Sequence, residues 1–172
     1  MKPGLFIALE GTDGSGKTTQ TELLVARLKD EGYGVETISF PQYGRSSAAM
    51  VEQYLHGEFG TAEAVGPYRA SILYAVDRYA AAQKIHGWLT AGSVVISNRY
   101  VASNMAHQGG KIKDAAERQR FFAWNHELEY TIFQIPQPDL NLILHVPAKV
   151  AHALVDKKSD REYLKGKKRD IH

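Results

Sequence analysis

The chain of 172 residues contains no cysteine. That excludes disulfides, thiolate metal sites and cysteine nucleophiles, and it fits a reducing cytoplasm. Long apolar runs are missing as well. Leu5 to Leu9 is closed by Glu10 and is too short for a signal-peptide core. Nothing approaches the roughly 18–20 apolar residues that span a bilayer. A cytoplasmic protein without a membrane partner is expected. Charge of one sign is scarce too, since 21 Lys and Arg face 19 Asp and Glu for a net +2. The excess sits in the tail. From Lys157 onward seven basic side chains stand against three acidic ones, while the 156 residues before it carry 14 and 16. Such a run is ordinarily a solvated end, and no second basic stretch supports a nucleic-acid partner.

What is present is an ordinary globular composition, 44% hydrophobic and 23% charged, long enough for one domain over 1–172 with a sizeable core. Leu5–Leu9 is a short apolar run that stops at a glycine-rich turn, as a buried parallel strand does. Leu24, Val25 and Leu28 then recur at helical spacing over 18–31, with Gly32 placed to end the helix. Val35 to Phe40 is β-rich and stopped by Pro41. These 40 residues predict a βαβ unit. The Ala-, Leu- and Gln-rich stretch 46–91 predicts two helices broken near Gly57–Gly60 and at Gly66-Pro67. A strand follows at 93–97, helices at about 101–107 and 114–130, a fourth strand at 140–146, and a last helix over 148–157. Strands alternating with helices predict an α/β fold.

The turn after the first strand reads Gly11-Thr12-Asp13-Gly14-Ser15-Gly16-Lys17-Thr18, with Thr19 next. It matches G-x-x-x-x-G-K-[ST] in full, between a predicted strand and a predicted helix, which is the context the motif requires. Glycines let the backbone N–H groups converge on phosphates, and the helix N-terminus adds its positive end. Lys17 is placed to reach the terminal phosphates of ATP, and the Thr18 hydroxyl to ligate Mg²⁺. A phosphate loop alone does not separate kinases from GTPases or transporters, although no guanine-reading Asn-Lys-x-Asp segment is visible.

The acceptor side makes that separation. Tyr74 and Arg78 are four apart and share one helical face, an aromatic plane beside a guanidinium. By themselves they read equally as a core aromatic and a surface cation. Arg99 lies just past the third strand, at the carboxyl edge where such sheets bind ligands. Taken in order, the loop with Asp13 inside it, Phe40-Pro41, Leu73-Tyr74-Ala75-Val76-Asp77-Arg78, Asn98-Arg99-Tyr100 and the basic tail resemble thymidylate kinase over essentially the whole chain.

That resemblance implies a three-layer P-loop fold, with a parallel sheet flanked by helices and a basic lid at about 157–170. It also implies transfer of a phosphoryl group from ATP to dTMP. Asp13 is then expected at the 3′-hydroxyl of the deoxyribose, its alternative being a helix-approach acid that merely favours the dipole. Tyr74 is expected against the thymine ring and Arg78 at its carbonyl oxygen. Phe40 and Pro41 would line the same pocket, unless Phe40 is plain core. Arg99 is expected to bridge the acceptor phosphate and the γ-phosphoryl, with Arg45 as a second clamp. Ser103, Asn104 and Gln108 are expected at nucleotide and base, or else on a polar helix surface. Arg161 is the candidate lid cation, with Lys158 and Lys165 behind it, because Gly14 stands where some thymidylate kinases keep an arginine in the loop. A homodimer is a family habit that the alanine-rich middle helix would suit.

Two departures stand out. Asn98 replaces the family's usual aspartate, so it would support Mg²⁺ only through water, and Glu10 and Asp139 are the alternative acids nearby. The chain also stops at Arg169-Asp170-Ile171-His172, inside what resembles the lid, where the family continues with a strand, an adenine-contacting loop and a helix. This leaves a truncated chain or a partial product of impaired activity as two readings. The competing functions are a kinase of another nucleoside monophosphate and a nucleotide-binding protein without turnover.

Overall fold

The computed structural model describes residues 3–147, 149–151 and 154. The described residues fall into two compact units, one drawn from 3–40, 81–100 and 136–154 and the other from 41–80 and 101–135.

The first unit is built on four parallel strands, β1 (Leu5–Gly11), β2 (Val35–Ser39), β3 (Val94–Asn98) and β4 (Leu140–Leu144), in the order β2-β3-β1-β4. β3 thus separates the two strands of the predicted βαβ unit. Val94, Val95, Ile96 and Ser97 are all buried, which suits the centre of a sheet covered on both faces. The half-exposed β2 suits an edge. The register aligns Leu9 with Asn98, Ser39 with Asn98, and Gly11 with Leu144, so these carboxyl ends share one edge. Helix α1 (Lys17–Asp30) covers one face, with Leu24, Val25 and Leu28 packed on Ile7, Leu9, Val94 and Ile96. Gly32, at φ 87°, ends it as predicted.

Asp139 does not serve the metal. Its Oδ2 accepts the Phe6 amide at 2.8 Å and its own amide donates to the Phe6 carbonyl at 2.8 Å, tying β4 to β1 at the amino end. Phe6 lies five residues before Gly11, about 16 Å from the loop at ~3.3 Å per residue. The reading of Asp139 as an alternative acid nearby is therefore corrected: it stands at the amino end of the sheet, away from the loop.

The second unit is helical. After the loop 41–45 come a 3₁₀ turn (Ser46–Ala48), α2 (Ala49–Leu55), residues 62–80 of α3 (Ala62–Thr90), α4 (Val101–Gly109) and α5 (Ala115–His126), the last running on into a π-helical turn (Glu127–Ile132). Gly66, at φ 75° and ψ 165°, interrupts α3 at the predicted break, and Pro67 restarts it where its missing N–H does no harm. Val51, Tyr54, Leu55, Val65 and Ala70 form one core cluster, joined by Tyr43, Leu73 and Tyr74. Asp114 caps α5 by accepting the Glu117 amide at 2.7 Å.

Glu117 also accepts from the Tyr68 hydroxyl at 2.7 Å and from Arg120 at 2.6 and 2.9 Å. The Tyr68 bond first, and then Arg120, hold its carboxyl below the usual range. A depressed carboxylate contributes stability that is complete above its unfolded pKa and is lost as pH falls through the folded value. Stability measured by denaturant should therefore decline on acidification below about pH 4.3, and Tyr68→Phe should flatten that decline. An unchanged acid slope in Tyr68→Phe would contradict this linkage.

Of the predicted last helix, Lys149, Val150, Ala151 and Leu154 are helical. The rest of it, and the lid with Arg161, Lys158 and Lys165, lie outside the described residues.

Candidate nucleotide sites

In the first unit, β1 runs into a loop with left-handed glycines at Gly14 (φ 78°) and Gly16 (φ 85°). A Cβ at Gly11 would lie 2.6 Å from Ser15 Oγ and 2.8 Å from the Leu144 carbonyl, so backbone and hydroxyl close in where only glycine fits. Gly16 is the N-cap of α1, with no side chain capping the helix and no acid in its first turn. The amides of that turn carry the helix's positive end toward the loop. Lys17 is buried and its Nζ donates to the Gly11 and Thr12 carbonyls at 3.0 and 2.8 Å. The ammonium is thus folded back over the loop, while Thr18 and Thr19 are exposed.

Arg99 joins this loop. Its Nη1 donates to the Gly11 carbonyl at 3.2 Å and its Nη2 pairs with Asp13 Oδ1 at 2.5 Å. Arg99 has φ 67°, a left-handed backbone rare for a branched or bulky side chain. The amides around it are fixed by β1: Arg99 N donates to the Leu9 carbonyl and Tyr100 N to Glu10 Oε1, both at 2.9 Å. Strain of this kind concentrates at working sites. Asn98, one residue earlier, has a buried Oδ1 with no hydrogen-bond partner. Phe40 is buried and packs its ring 5.6 Å from Tyr100.

In the second unit, Arg78 is buried at 2% exposure, so the surface-cation reading is corrected. Its Nε donates to Glu129 Oε2 at 3.0 Å, and its Nη2 is bonded to Oε1 of the same carboxylate. Tyr74 stands edge-on to Tyr54 at 6.3 Å. Asn104 and Gln108 are buried at 5% and 1%, which also corrects the polar-surface reading for both. Asn104 Nδ2 donates to Asn125 at 2.9 Å, and Gln108 Oε1 accepts from Lys111 at 3.0 Å. Ser103 is half-buried beside them in sequence, and Arg45 is exposed.

The model of the thymidylate kinase family matches residues 9–172. The thymidylate kinase of Mycobacterium tuberculosis is 38% identical over 148 residues, covering 86% of this chain and 68% of that protein. That of Clavibacter michiganensis is 32% identical over 172 residues, covering 98% and 76%. Among solved structures, thymidylate kinase from Candida albicans superposes with a TM-score of 0.68 at 25% identity, over 87% of this chain and 66% of that one. The chain belongs to the thymidylate kinase family. It spans about two thirds of the length of the Mycobacterium and Candida proteins. The family's chemistry is phosphorylation of dTMP with ATP as phosphate donor, and the parallel sheet with its P-loop is the family's fold. Among the described residues no helix is long and apolar enough to cross a membrane.

Within this thymidylate kinase fold, the expected residues Gly11, Asp13, Lys17 and Arg99 come together in one unit, and Tyr74, Arg78, Asn104 and Gln108 in the other. Two acids had no expected role. Glu129 is fully buried against Arg78. Asp77, 1% exposed, accepts the Gln42 amide at 2.8 Å, the Gln42 side chain at 3.1 Å and the Ser47 hydroxyl at 2.6 Å. It holds the loop that carries Arg45. Asp77→Ala should leave those donors unpaired, loosen the loop and speed tryptic cleavage after Arg45 several-fold, about 1 kcal/mol or more of lost protection. Cleavage at the native rate would show that other contacts hold it.

Proposed function

We propose that this chain transfers the γ-phosphoryl group of ATP to dTMP through three catalytic cations, Lys17 of the phosphate loop, Arg99 at the end of β3 and Arg161 of the lid. The observation that carries the reading is the Arg99 guanidinium, held by a strained backbone against the Gly11 carbonyl and Asp13. Gly11, Thr12, Asp13, Gly14, Ser15, Gly16, Lys17, Thr18 and Thr19 hold ATP through backbone amides and the helix end. With phosphate present, Lys17 exchanges two loop carbonyls for phosphate oxygens. Arg99 exchanges its neutral carbonyl partner for phosphate oxygens and keeps a charge-assisted fork there.

Mg²⁺ fits the same edge. Thr18 offers an exposed hydroxyl, and the orphaned Asn98 Oδ1 is an uncharged acceptor suited to a hydrated hard cation. Mg²⁺ when bound neutralises phosphate charge. The protein's residues do the rest by alignment, since a phosphate oxygen of dTMP is already charged at neutral pH and needs no general base.

dTMP is held through Asp13, Phe40, Pro41, Arg45, Tyr74, Arg78, Arg99, Ser103, Asn104 and Gln108. Tyr74 and Arg78 read the base, Asp13 the sugar, and Arg45 and Arg99 the phosphate. Arg161 supplies the lid cation. The assembly is a homodimer formed through α3, where Ile72, Val76 and Tyr79 are exposed at 41%, 43% and 56% along one face. The compartment is the cytoplasm.

The test is ADP release from ATP and Mg²⁺ with dTMP, dUMP, dGMP or no acceptor. Release that depends on dTMP and yields dTDP is expected. Nucleotide binding without dTDP would refute the reading.

A further inference from the structure

We infer that Glu129 sets the pyrimidine preference of the enzyme by fixing the Arg78 guanidinium, as a positioning residue that does not itself touch the nucleotide. The inference rests on the proposed role of Arg78 at the base.

Three observations meet on Glu129. Both ends of the pair are out of water, with Glu129 at 0% and Arg78 at 2% exposure. The carboxylate takes the guanidinium on one edge, by Nε at 3.0 Å and by Nη2, the side-on geometry that fixes the plane of the fork. Finally, Glu129 sits inside the π-helical turn, pinned by the Phe133 amide on the Leu128 carbonyl (2.9 Å) and the Ile135 amide on its own carbonyl (3.1 Å). Such one-turn π segments recur at functional sites. A carboxylate on a rigid turn therefore holds a planar donor in one orientation.

Helix α5, which runs into that turn, repeats the device. Phe121, Asn125 and Glu129 follow at intervals of four and are fully buried. Asn125 takes the Asn104 side chain at 2.9 Å, as Glu129 takes Arg78. Two of the polar residues assigned to the nucleotide, on α3 and α4, are thus each held by a polar residue of one helix face.

The chemistry gives the direction of the effect. Thymine and uracil present a carbonyl oxygen at C4, whereas cytosine presents an amino group there. A guanidinium has only donors, so at a fixed distance it bonds the first and repels the second. If the fork can swing, the repulsion is relieved and the bond to thymine weakens together. Loss of Glu129 should therefore cost affinity for dTMP and discrimination against dCMP in parallel, without touching the phosphate chemistry.

The experiment is steady-state kinetics with ATP and dTMP, dUMP or dCMP for the wild type, Glu129→Asp, Glu129→Gln and Arg78→Met. Glu129→Asp keeps the charge and draws the carboxylate back by one methylene. It should raise KM for dTMP about tenfold and reduce the preference in kcat/KM for dTMP over dCMP by a similar factor, leaving kcat and the KM for ATP within about twofold. Glu129→Gln should act in the same direction and more strongly. Should it not fold, Glu129→Asp alone decides. A Glu129→Asp enzyme with a lowered melting temperature but native KM and native preference would overturn the inference and leave Glu129 as structural. If Arg78→Met also kept both, the base-reading role of Arg78 would be what failed. If Arg78→Met lost both while Glu129→Asp did not, that role would stand and the inference alone would fall.

Discussion

Arg99→Ala should lower kcat by about a hundred- to a thousandfold, the effect of removing one preorganised donor from a developing charge, about 3–4 kcal/mol. The fold should barely respond. The Arg99 side chain is 18% and Asp13 53% exposed, and an ion pair that wet contributes about 1 kcal/mol or less. The two magnitudes differ enough to separate chemistry from folding in one variant. Coupled ADP release supplies kcat, thermal melting supplies stability, and the KM for ATP should move only a few-fold because Lys17 and the loop amides remain. Arg99→Lys should fall between, keeping the charge but not the fork that reaches the Gly11 carbonyl and Asp13 together. Turnover near that of the wild type in Arg99→Ala would remove Arg99 from the reaction.

The arginine is held there by backbone rather than by side-chain packing. A left-handed conformation at a bulky residue is unfavourable by about 1–3 kcal/mol. Here it is offset by the Leu9 carbonyl on the Arg99 amide, by Glu10 on the Tyr100 amide, and by the Ser97 hydroxyl on the Arg99 carbonyl at 2.5 Å. Glu10 is buried at 3%, and its Oε1 is engaged by that amide. The bend aims the side chain along the carboxyl edge of β3 and β1 instead of continuing the strand. Alanine at position 99 keeps the same unfavourable dihedral, so the variant tests the guanidinium alone.

Much of the first unit could be read from the residues because its signals are local. The phosphate loop is eight consecutive residues whose spacing encodes its own geometry, and Gly32, like Gly66-Pro67 in the second unit, marks a break by chemistry that needs no distant partner. Strand order was not legible in that way. It depends on β3, which begins 55 residues after β2 ends (94 − 39), being apolar enough on both faces to take the centre. Asp139 was legible: it immediately precedes the predicted strand at 140, which already places it at the amino end, opposite the phosphate loop. In the second unit a polar helix surface was the alternative left open for Asn104 and Gln108, and both are buried. Asn104 is buried against Asn125 and Arg78 against Glu129, 21 and 51 residues apart, while Gln108 accepts from the nearby Lys111. A signal was present all the same. Asn125 and Glu129 continue the four-residue spacing of the core residue Phe121, so a polar residue on an apolar face was the clue to a buried partner.

That buried partner fixes the largest stability effect. Glu129→Ala leaves the Arg78 guanidinium out of water with its counter-charge removed, and breaking one side of a buried pair is unfavourable by about 3–5 kcal/mol. For a protein of this size that is a fall of about 10 °C in melting temperature. Trp124, in α5 of the same unit, reports the transition by fluorescence once Trp88 of the other unit is replaced by Phe. The double variant Arg78→Met with Glu129→Met removes both charges and restores apolar volume, so it should recover most of the loss while the enzyme stays impaired toward dTMP. Recovery of stability without recovery of function would separate the two roles of the pair. A drop below about 1 kcal/mol in Glu129→Ala would mean that water reaches the guanidinium, and with it the geometry that makes this pair rigid would be lost.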